Sequence, residues 1–292
     1  MADATTSRKK ITAPSLRARK VSSGFEPLVM LTAYDAPSAR MVDAAGADVI
    51  LVGDSLAMVV LGYDDTLQVT VADMAHHTAA VARTDPRALI VADLPWLSYH
   101  VSVEDTVRNA ASLVRAGAQA VKLEGGRKRV PMIDALIDAE IPVMGHIGLT
   151  PQSVHAMGGF RVQGRETAAA LALVDDAKAL AHAGCFALVV EGVPDQVGAL
   201  ITDAVDVPII GIGAGPACDG QVLVLHDVLG LEERVLPKFV RRYAELQRVG
   251  TDALRAFAAD VRSGAFPSAA ESYHLSAEQA EALGLYGRPA DD

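Results

Sequence analysis

Cysteine is scarce in this chain, which has Cys185 and Cys218 among its 292 residues and no others. Two thiols cannot build a disulfide framework, and their spacing is not that of a CxxC metal site. The scarcity fits a reducing compartment, and we therefore expect a cytoplasmic protein.

Long apolar runs and an excess of positive charge are also missing. Apolar residues make up 51% of the chain, but no run approaches the roughly 20 residues that span a bilayer. We therefore expect a globular core and no membrane partner. The formal charge of −10 argues against a nucleic-acid partner, because neutralising phosphates needs clustered Lys and Arg.

Basic residues do cluster before residue 21, without the apolar segment of a secretory signal. We interpret residues 1–10 as a flexible basic tail leading into a first helix, and a transit peptide is the alternative. No Pro/Gly/Ser-rich linker divides the chain, which favours a single domain over residues 11–266. Residues 267–292 are predicted to be a C-terminal helical extension whose last residues, GRPADD, fray. The preceding helical stretch, from Pro237 onward, has no strand after it.

Three segments repeat one plan: AAGADVILVGD, RAGAQAVKLEG and HAGCFALVVEG. In each, a helix ends on Ala-Gly, an apolar strand follows, and an acid stands at the end of that strand. Gly46, Gly117 and Gly184 suit the left-handed backbone conformation that terminates a helix. The three acids are Asp54, Glu124 and Glu191.

The second and third of these segments contain the predicted strands AVKLE and ALVVE. Further strands are predicted at 28–33, 49–53, 88–93, 142–145, 208–211 and 222–225. Eight strands alternating with helices predict parallel pairing with the helices outside. We therefore predict an α/β fold, a (β/α)8 TIM barrel with an N-terminal helix. A doubly wound open sheet is the rival, but polar residues end nearly every strand, as expected where all the loops of one rim surround one site.

If all strands point the same way, polar residues meet at one rim: Asp54, Ser55, Asp93, Lys122, Glu124, His146 and Glu191. Lys122 and Glu124 are two apart on one strand, so they face the same side. Singly, each residue has a structural explanation: Asp54 could cap a helix, Asp93 could belong to a turn, and His146 could be a core histidine. Their joint occurrence at successive strand ends favours an active site.

Carboxylates gathered at this rim would repel one another. Two of them about 4 Å apart repel by roughly 4 kcal/mol at an effective dielectric near 20. Beside a single lysine, either some acids carry protons or a cation binds. The all-oxygen set Asp54, Asp93 and Glu124 suits a hard divalent ion, with Mg2+ first.

Longer blocks carry a family resemblance: LTAYDAPSARMVDAAGADVILVGDSLAMVVLGYDDTLQVT, ADLPW, AVKLEGG, VMGHIGLTPQSVHAMGGFRVQG, VVEGVP and PIIGIGAGPACDGQVLVLHDVLG. From about Ile11 to Phe266 the chain resembles the ketopantoate hydroxymethyltransferases, also called 3-methyl-2-oxobutanoate hydroxymethyltransferases. The resemblance implies transfer of a hydroxymethyl group from 5,10-methylenetetrahydrofolate to 3-methyl-2-oxobutanoate with Mg2+, through an enolate. The product would be 2-dehydropantoate, on the route to pantothenate and coenzyme A. Small-molecule partners and a homo-oligomer, a decamer, are implied as well.

The resemblance also implies residue roles. The implied metal ligands are Asp54, Asp93 and Glu124, the last directly or through water. The implied contacts to the 2-oxo acid are Asp54, Ser55, Asp93 and Lys122, with His146 in the same pocket. The implied general base is Glu191.

Other motifs receive structural interpretations. GIGAG at 211–215 lacks the Lys-Ser/Thr of a P-loop and the glycine spacing of a dinucleotide motif, so we predict a tight rim loop beside the ligand. His76, His77 and His155 are assigned to surface or packing.

Two alternative functions differ in class. A carbon–phosphorus mutase or isocitrate-lyase-like lyase would share the barrel and metal but rely on a reactive cysteine in a flexible gating loop, and neither Cys185 nor Cys218 lies on a suitable loop after a rim strand. A non-catalytic barrel for assembly or ligand sensing is the other alternative, and acids at the expected strand ends argue against it.

Overall fold

The computed structural model describes residues 9–232 and 236–284. Eight parallel strands close into a barrel in which each strand pairs with the next and β8 pairs with β1. The strands are β1 (Leu28–Thr32), β2 (Val49–Val52), β3 (Leu89–Asp93), β4 (Ala120–Glu124), β5 (Val143–Gly148), β6 (Ala187–Glu191), β7 (Ile209–Ile212) and β8 (Gly220–Leu223). The predicted (β/α)8 barrel is confirmed, and the open doubly wound sheet is excluded.

The chain divides into two compact units, Met1–Tyr243 and Ala244–Asp292. The first holds the barrel and helices α1 (Ala13–Arg17), α2 (Ala36–Ala44), α3 (Leu56–Val59), α4 (Val71–Ala82), α5 (Val103–Arg115), α6 (Val130–Asp138), α7 (Val154–Met157), α8 (Thr167–His182), α9 (Asp195–Ala204) and α10 (Leu225–Leu229). The second holds α11 (Leu246–Ser263) and α12 (Ala277–Ala282). This second unit begins at Ala244, whereas the sequence predicts that the C-terminal extension begins at residue 267. The predicted frayed end, GRPADD, and most of the basic tail lie outside the described residues.

Glycines end three of the barrel helices as the repeat predicts. Gly46, Gly117 and Gly184 follow α2, α5 and α8 with φ angles of 86°, 110° and 102°. Only glycine adopts this conformation without strain, so the chain can leave each helix and turn directly into the next strand.

Most strand bounds lie within one residue of prediction, but two strands differ. β5 continues to Gly148, so His146 lies inside the strand and pairs with Glu124. β8 begins at Gly220, two residues before the predicted start, and the apolar run VLVL crosses from the strand into α10. A Cβ atom on Gly220 would lie 2.6 Å from the Cβ atom of Leu28, so glycine permits the close approach to β1 that starts the strand.

The strand–helix repeat is interrupted once. Residues 213–219, between β7 and β8, are all described and form turns and bends, where strict alternation of strands and helices would place a helix. β7 and β8 pair at two positions, and the first residue of β8, Gly220, lies beside Ile210 of β7. Because Ile210 is only two residues from the end of β7, a short link can join the two strands.

Alternation along each strand sorts the side chains into two layers. One apolar cluster fills the barrel interior and includes Met30, Val91, Met144 and Val189, with Leu16 of α1 packed into it. The other lies between the strands and the helices. Because side chains two apart share a face, the interior also receives a polar set: Asp93, Lys122, Glu124, His146 and Glu191.

Within the described part of the chain, no helix combines the length and apolar character needed to cross a membrane.

Candidate active site

A chain of contacts joins six of the seven predicted rim residues at the carboxyl ends of β2 to β6. The backbone N–H of Asp54 donates to Asp93 Oδ2 at 3.1 Å, and Asp93 Oδ1 lies 2.9 Å from Lys122 Nζ. Lys122 Nζ lies 3.2 Å from Nδ1 of His146, a residue whose contacts extend the cluster further. Asp54, Asp93, Lys122 and His146 are all buried.

His146 joins the two remaining acids. Its Nδ1 atom is 3.4 Å from Glu124 Oε1, and its Nε2 atom is 3.2 Å from Glu191 Oε2. The Glu124 side chain is 3% exposed, whereas that of Glu191 is 14% exposed. Glu191 is therefore the acid of this cluster that an entering ligand can reach most readily.

Ser55 stands beside the cluster and contacts a tyrosine. Its Oγ atom is 2.9 Å from the hydroxyl of Tyr34, a buried residue that follows β1. Ser55 occupies the N-cap position of α3 without a side-chain capping bond. The Asp54 carboxylate accepts its hydrogen bond from Gln152, which argues against the helix-cap explanation for that acid.

Burial and mutual repulsion shape the charges of the acids. Burial, with the charges of Asp93 and Glu124 adding to it, raises the pKa of Asp54 well above its usual range. Burial also raises the pKa of Asp93, against the opposing effect of Lys122. Burial acts to raise the pKa of Glu124, but contacts with His146 and Lys122 outweigh it and lower that pKa.

The two basic groups are held as cations by their neighbours. Burial and Lys122 act to lower the pKa of His146, but contacts with Glu124 and Glu191 outweigh them and raise it to about 9. Burial acts to lower the pKa of Lys122, and the nearby acids Asp93, Glu124 and Asp54 raise it. Near neutral pH the cluster therefore combines four carboxyl groups with two cationic side chains.

Sequence reasoning missed two residues that contact these acids. Gln152, in the 3-10 turn Pro151–Ser153 after β5, donates its amide N–H to Asp54 Oδ2 at 2.8 Å. Tyr99, in the loop between β3 and α5, donates to the Gln152 side chain at 2.6 Å. Neither residue directly follows an apolar strand, and that position is what marks the other site residues in the sequence.

The residues present fit a divalent cation by chemistry and charge. Asp54, Asp93 and Glu124 supply buried carboxylate oxygens, which hard cations such as Mg2+ prefer. Burial raises the pKa of Asp54, and the charges of Asp93 and Glu124 raise it further, so a cation bound beside these acids would favour their ionised forms. Among residues 9–232 and 236–284, no three His, Cys, Asp or Glu side chains form a ready-made metal cluster. The fit therefore rests on donor type, burial and charge.

The remaining predicted motifs add no charged side chain to the cluster, although GIGAG begins in β7, where Ile212 pairs with Glu191. His76 and His155 are exposed, and His77 Nδ1 lies 2.6 Å from the Tyr34 carbonyl oxygen, as expected for surface and packing residues. GIGAG forms a tight loop in which a Cβ atom on Gly215 would lie 2.4 Å from the Asp195 Cβ atom. Its place beside a ligand stays a prediction.

Both thiols are buried, whereas the lyase alternative requires a reactive cysteine on a gating loop. Cys185 precedes β6 with no exposed surface, and burial raises the pKa of its thiol to about 12. Cys218 is 5% exposed, and burial likewise raises its pKa. A reactive thiolate on a gating loop needs exposure and a lowered pKa, which neither residue has.

Comparison with known proteins decides the family. Residues 10–269 match the family described as ketopantoate hydroxymethyltransferase. The chain belongs to the ketopantoate hydroxymethyltransferase family. It is therefore a transferase of the hydroxymethyltransferase type, which agrees with the resemblance carried by the sequence blocks.

Relatives from several bacteria extend this match over most of the chain. The 3-methyl-2-oxobutanoate hydroxymethyltransferase 2 of Bradyrhizobium diazoefficiens is 56% identical over 267 residues, covering 91% of this chain and 90% of its own. The corresponding enzyme of Methylobacterium sp. is 58% identical over 248 residues, covering 85% and 86%.

Solved structures of lower identity share the barrel. A phosphonopyruvate hydrolase in complex with oxalate and Mg2+ aligns with a TM-score of 0.58 at 16% identity, covering 94% of this chain and 95% of the other. A 2,3-dimethylmalate lyase gives the same TM-score at 18% identity, covering 94% and 96%. At this identity the likeness establishes the fold alone.

Proposed function

We propose that the protein transfers a hydroxymethyl group from 5,10-methylenetetrahydrofolate to 3-methyl-2-oxobutanoate. The reaction gives 2-dehydropantoate and tetrahydrofolate and consumes one water, as a step towards pantothenate and coenzyme A. The names of relatives that are 51–58% identical over most of the chain support this assignment. The observation that carries it is the buried carboxyl-end cluster, in which acids outnumber cations and one acid remains accessible.

The cations and Ser55 would bind and orient the substrate. The 2-oxo acid carries a carboxylate, and Lys122 supplies a buried ammonium group held charged by Asp93 at 2.9 Å. The Ser55 hydroxyl lies 2.9 Å from that of Tyr34. Because a hydroxyl hydrogen can rotate, Ser55 could donate to a substrate oxygen while it accepts from Tyr34.

Glu191 would act as the general base. It would take the proton from C3 of the 2-oxo acid, and the electrons of the C–H bond would move into an enolate. His146 Nε2 lies 3.2 Å from Glu191 Oε2, and this contact would hold the Glu191 carboxylate in place before the transfer. The enolate carbon would then form a bond to the methylene carbon of the folate, and the oxygen of one water would bond to that same carbon. The two C–N bonds break, and the nitrogens of the released tetrahydrofolate take up the proton from C3 and one proton from the water.

Asp54, Asp93 and Glu124 would hold Mg2+. Bound there, the ion would supply a Lewis acid that stabilises negative charge on the oxygens of the 2-oxo acid and its enolate. This role meets a need of the site, because an anionic substrate adds further negative charge to four carboxyl groups and two cations.

The experiment is exchange of the C3 proton of 3-methyl-2-oxobutanoate in D2O, followed by NMR with Mg2+ and without folate. We expect exchange by the intact protein and a loss of about 100-fold or more in Glu191→Gln, in line with the usual contribution of a general base. Full turnover then requires 5,10-methylenetetrahydrofolate. Gln196→Glu, at an exposed position in α9 and outside the cluster, is the matched control and should exchange at the rate of the unaltered protein.

Two results would oppose the proposal. Exchange that is equally fast in Glu191→Gln would remove Glu191 as base. No exchange and no turnover by the intact protein, with Mg2+ and folate both present, would contradict the reaction itself.

We further propose a homo-oligomer, with a decamer as the family expectation, working in the cytoplasm. Apolar side chains on the outer helices support association, since Leu171 of α8 and Leu200 of α9 are 58% and 54% exposed. Light scattering coupled to gel filtration would test this, and a mass equal to one chain of 30.5 kDa would contradict it.

A further inference from the structure

Gln152 makes an unusually complete set of hydrogen bonds for a loop residue. It is 5% exposed, and its Nε2 atom donates both to Asp54 Oδ2 at 2.8 Å and to the Leu94 carbonyl oxygen at 2.9 Å. Its Oε1 atom accepts from the hydroxyl of Tyr99 at 2.6 Å. Both N–H groups and the oxygen of the amide are therefore used.

The partners fix the orientation of this amide. Asp54 Oδ2 and the Leu94 carbonyl are both acceptors, so the nitrogen must face them. If the amide were turned over, its oxygen would meet two acceptors and the Tyr99 hydroxyl would lose its partner. Gln152 consequently holds the Asp54 carboxylate in one position relative to the end of β3.

The same residue reaches a second acid through its backbone. The N–H of Gln152 donates to Glu124 Oε2 at 3.0 Å, and the Tyr99 hydroxyl accepts from the N–H of Glu124 at 3.1 Å. Tyr99 has no exposed surface. Gln152 and Tyr99 therefore connect two carboxylates that stand at the ends of different strands, β2 and β4.

We infer that Gln152, held by Tyr99, is a positioning residue for the divalent-cation site, because it orients Asp54 and Glu124 before a cation arrives. The inference rests on the metal role given to these acids under the proposed function. Residues that orient metal ligands by hydrogen bonds commonly contribute 10–100-fold to metal affinity.

Replacement by leucine separates positioning from packing. Gln152→Leu keeps a side chain of similar size but gives Asp54 no donor and Tyr99 no acceptor. Tyr99→Phe is a milder variant that keeps the ring and removes only the hydroxyl, so it tests the inference even if Gln152→Leu folds poorly. Gln119→Leu is the matched control, since that amide accepts from the N–H of Ile90 at 3.0 Å at the opposite end of the barrel.

The test is a titration of the full-length protein with Mn2+, with the bound ion followed by electron paramagnetic resonance and the thermal midpoint of each metal-free variant recorded alongside. We expect Gln152→Leu to weaken Mn2+ binding by about 10–100-fold and to alter the spectrum of the bound ion. Tyr99→Phe should weaken binding by a smaller factor. Gln119→Leu should leave affinity and spectrum unchanged.

The outcomes separate this inference from the proposed function. If the unaltered protein binds Mn2+ and both Gln152→Leu and Tyr99→Phe bind it equally well with the same spectrum, the positioning role is wrong while the metal role stands. The same holds if the variants lose thermal stability without loss of affinity. If the unaltered protein binds no Mn2+, the proposed metal role fails, and the positioning role with it.

Discussion

The two ends of the barrel use the same kinds of residue in opposite ways. At the amino end, Asp219 accepts from the backbone N–H of Val21 and of Ile209 and lies 3.0 Å from Lys20 Nζ. At the carboxyl end, Asp54 has an amide donor, and burial together with the charges of Asp93 and Glu124 raises its pKa. Asp219 is therefore paired with a cation and two N–H donors, whereas Asp54 stands among other acids.

The amino-end pattern recurs around the rim. Asp48 accepts from the N–H of Val29 at 2.9 Å and pairs with Arg19, and the Asp43 carboxylate accepts from the N–H of Arg87 at 2.9 Å. These acids satisfy backbone groups at the starts of strands, so their role is to hold the barrel together. Position relative to strand direction, rather than residue type, thus separates structural acids from candidate catalytic acids.

Removing an amino-end acid should have the largest effect on stability. Asp219→Ala leaves Lys20 buried without its counter-ion and the N–H groups of Val21 and Ile209 without their acceptor, so we expect a loss of about 3–5 kcal/mol in the free energy of unfolding. Urea denaturation measures this. The KM of the folded protein should not change, and a loss below about 1 kcal/mol would show that the two ends do not differ as described.

Removing a carboxyl-end cation should instead affect substrate binding. Lys122→Met takes away the charged hydrogen-bond donor proposed to bind the substrate, which we expect to raise the KM for 3-methyl-2-oxobutanoate by about 30–150-fold, or roughly 2–3 kcal/mol. Steady-state kinetics measures this. Lys20→Met, the matching change at the other end, should lower stability but leave KM unchanged, and an equal rise in KM would contradict the comparison.

Removing a carboxyl-end acid should stabilise the metal-free protein. Because the pKa of Asp54 is raised in the folded state, that state binds the proton more tightly, and stability falls as pH rises through the raised pKa. Asp54→Asn removes this penalty, so we expect a gain of about 1 kcal/mol, or about 2–4 °C in the unfolding midpoint, at pH 8. The gain should shrink as pH falls towards the ordinary value of 3.8. Calorimetry of metal-free protein at both pH values measures it, and a gain that is independent of pH would count against the electrostatic cause.

Exposed ion pairs at the amino end should have the smallest effect. Lys10 pairs with Asp85, but their side chains are 49% and 85% exposed. We expect Lys10→Ala to change the free energy of unfolding by less than about 0.5 kcal/mol, because water screens such pairs. If Lys10→Ala lowered the free energy of unfolding as much as Asp219→Ala does, the contribution of an ion pair would depend on its location at the amino end and not on its burial.

The sequence predicts the barrel and the rim acids for one physical reason. A parallel strand buried on both faces is a continuous apolar run, so the charged residue that ends it is conspicuous, as at Asp93 and Glu191. Gln152 and Tyr99 carry no such signal, since their importance comes from contacts across loops. The start of β8 was placed wrongly because Gly220 and Gln221 pair with β1 without being apolar.

On the proposed function, the carboxyl-end acids form a cation site, whereas the amino-end acids hold the barrel together. The most direct test is the thermal unfolding of the unaltered protein and of Asp54→Asn, with and without Mg2+ at pH 8. We predict that Mg2+ at 10–100 times its dissociation constant stabilises the unaltered protein by about 1–3 kcal/mol and leaves Asp54→Asn unchanged. No stabilisation, or equal stabilisation of both proteins, would contradict the claim.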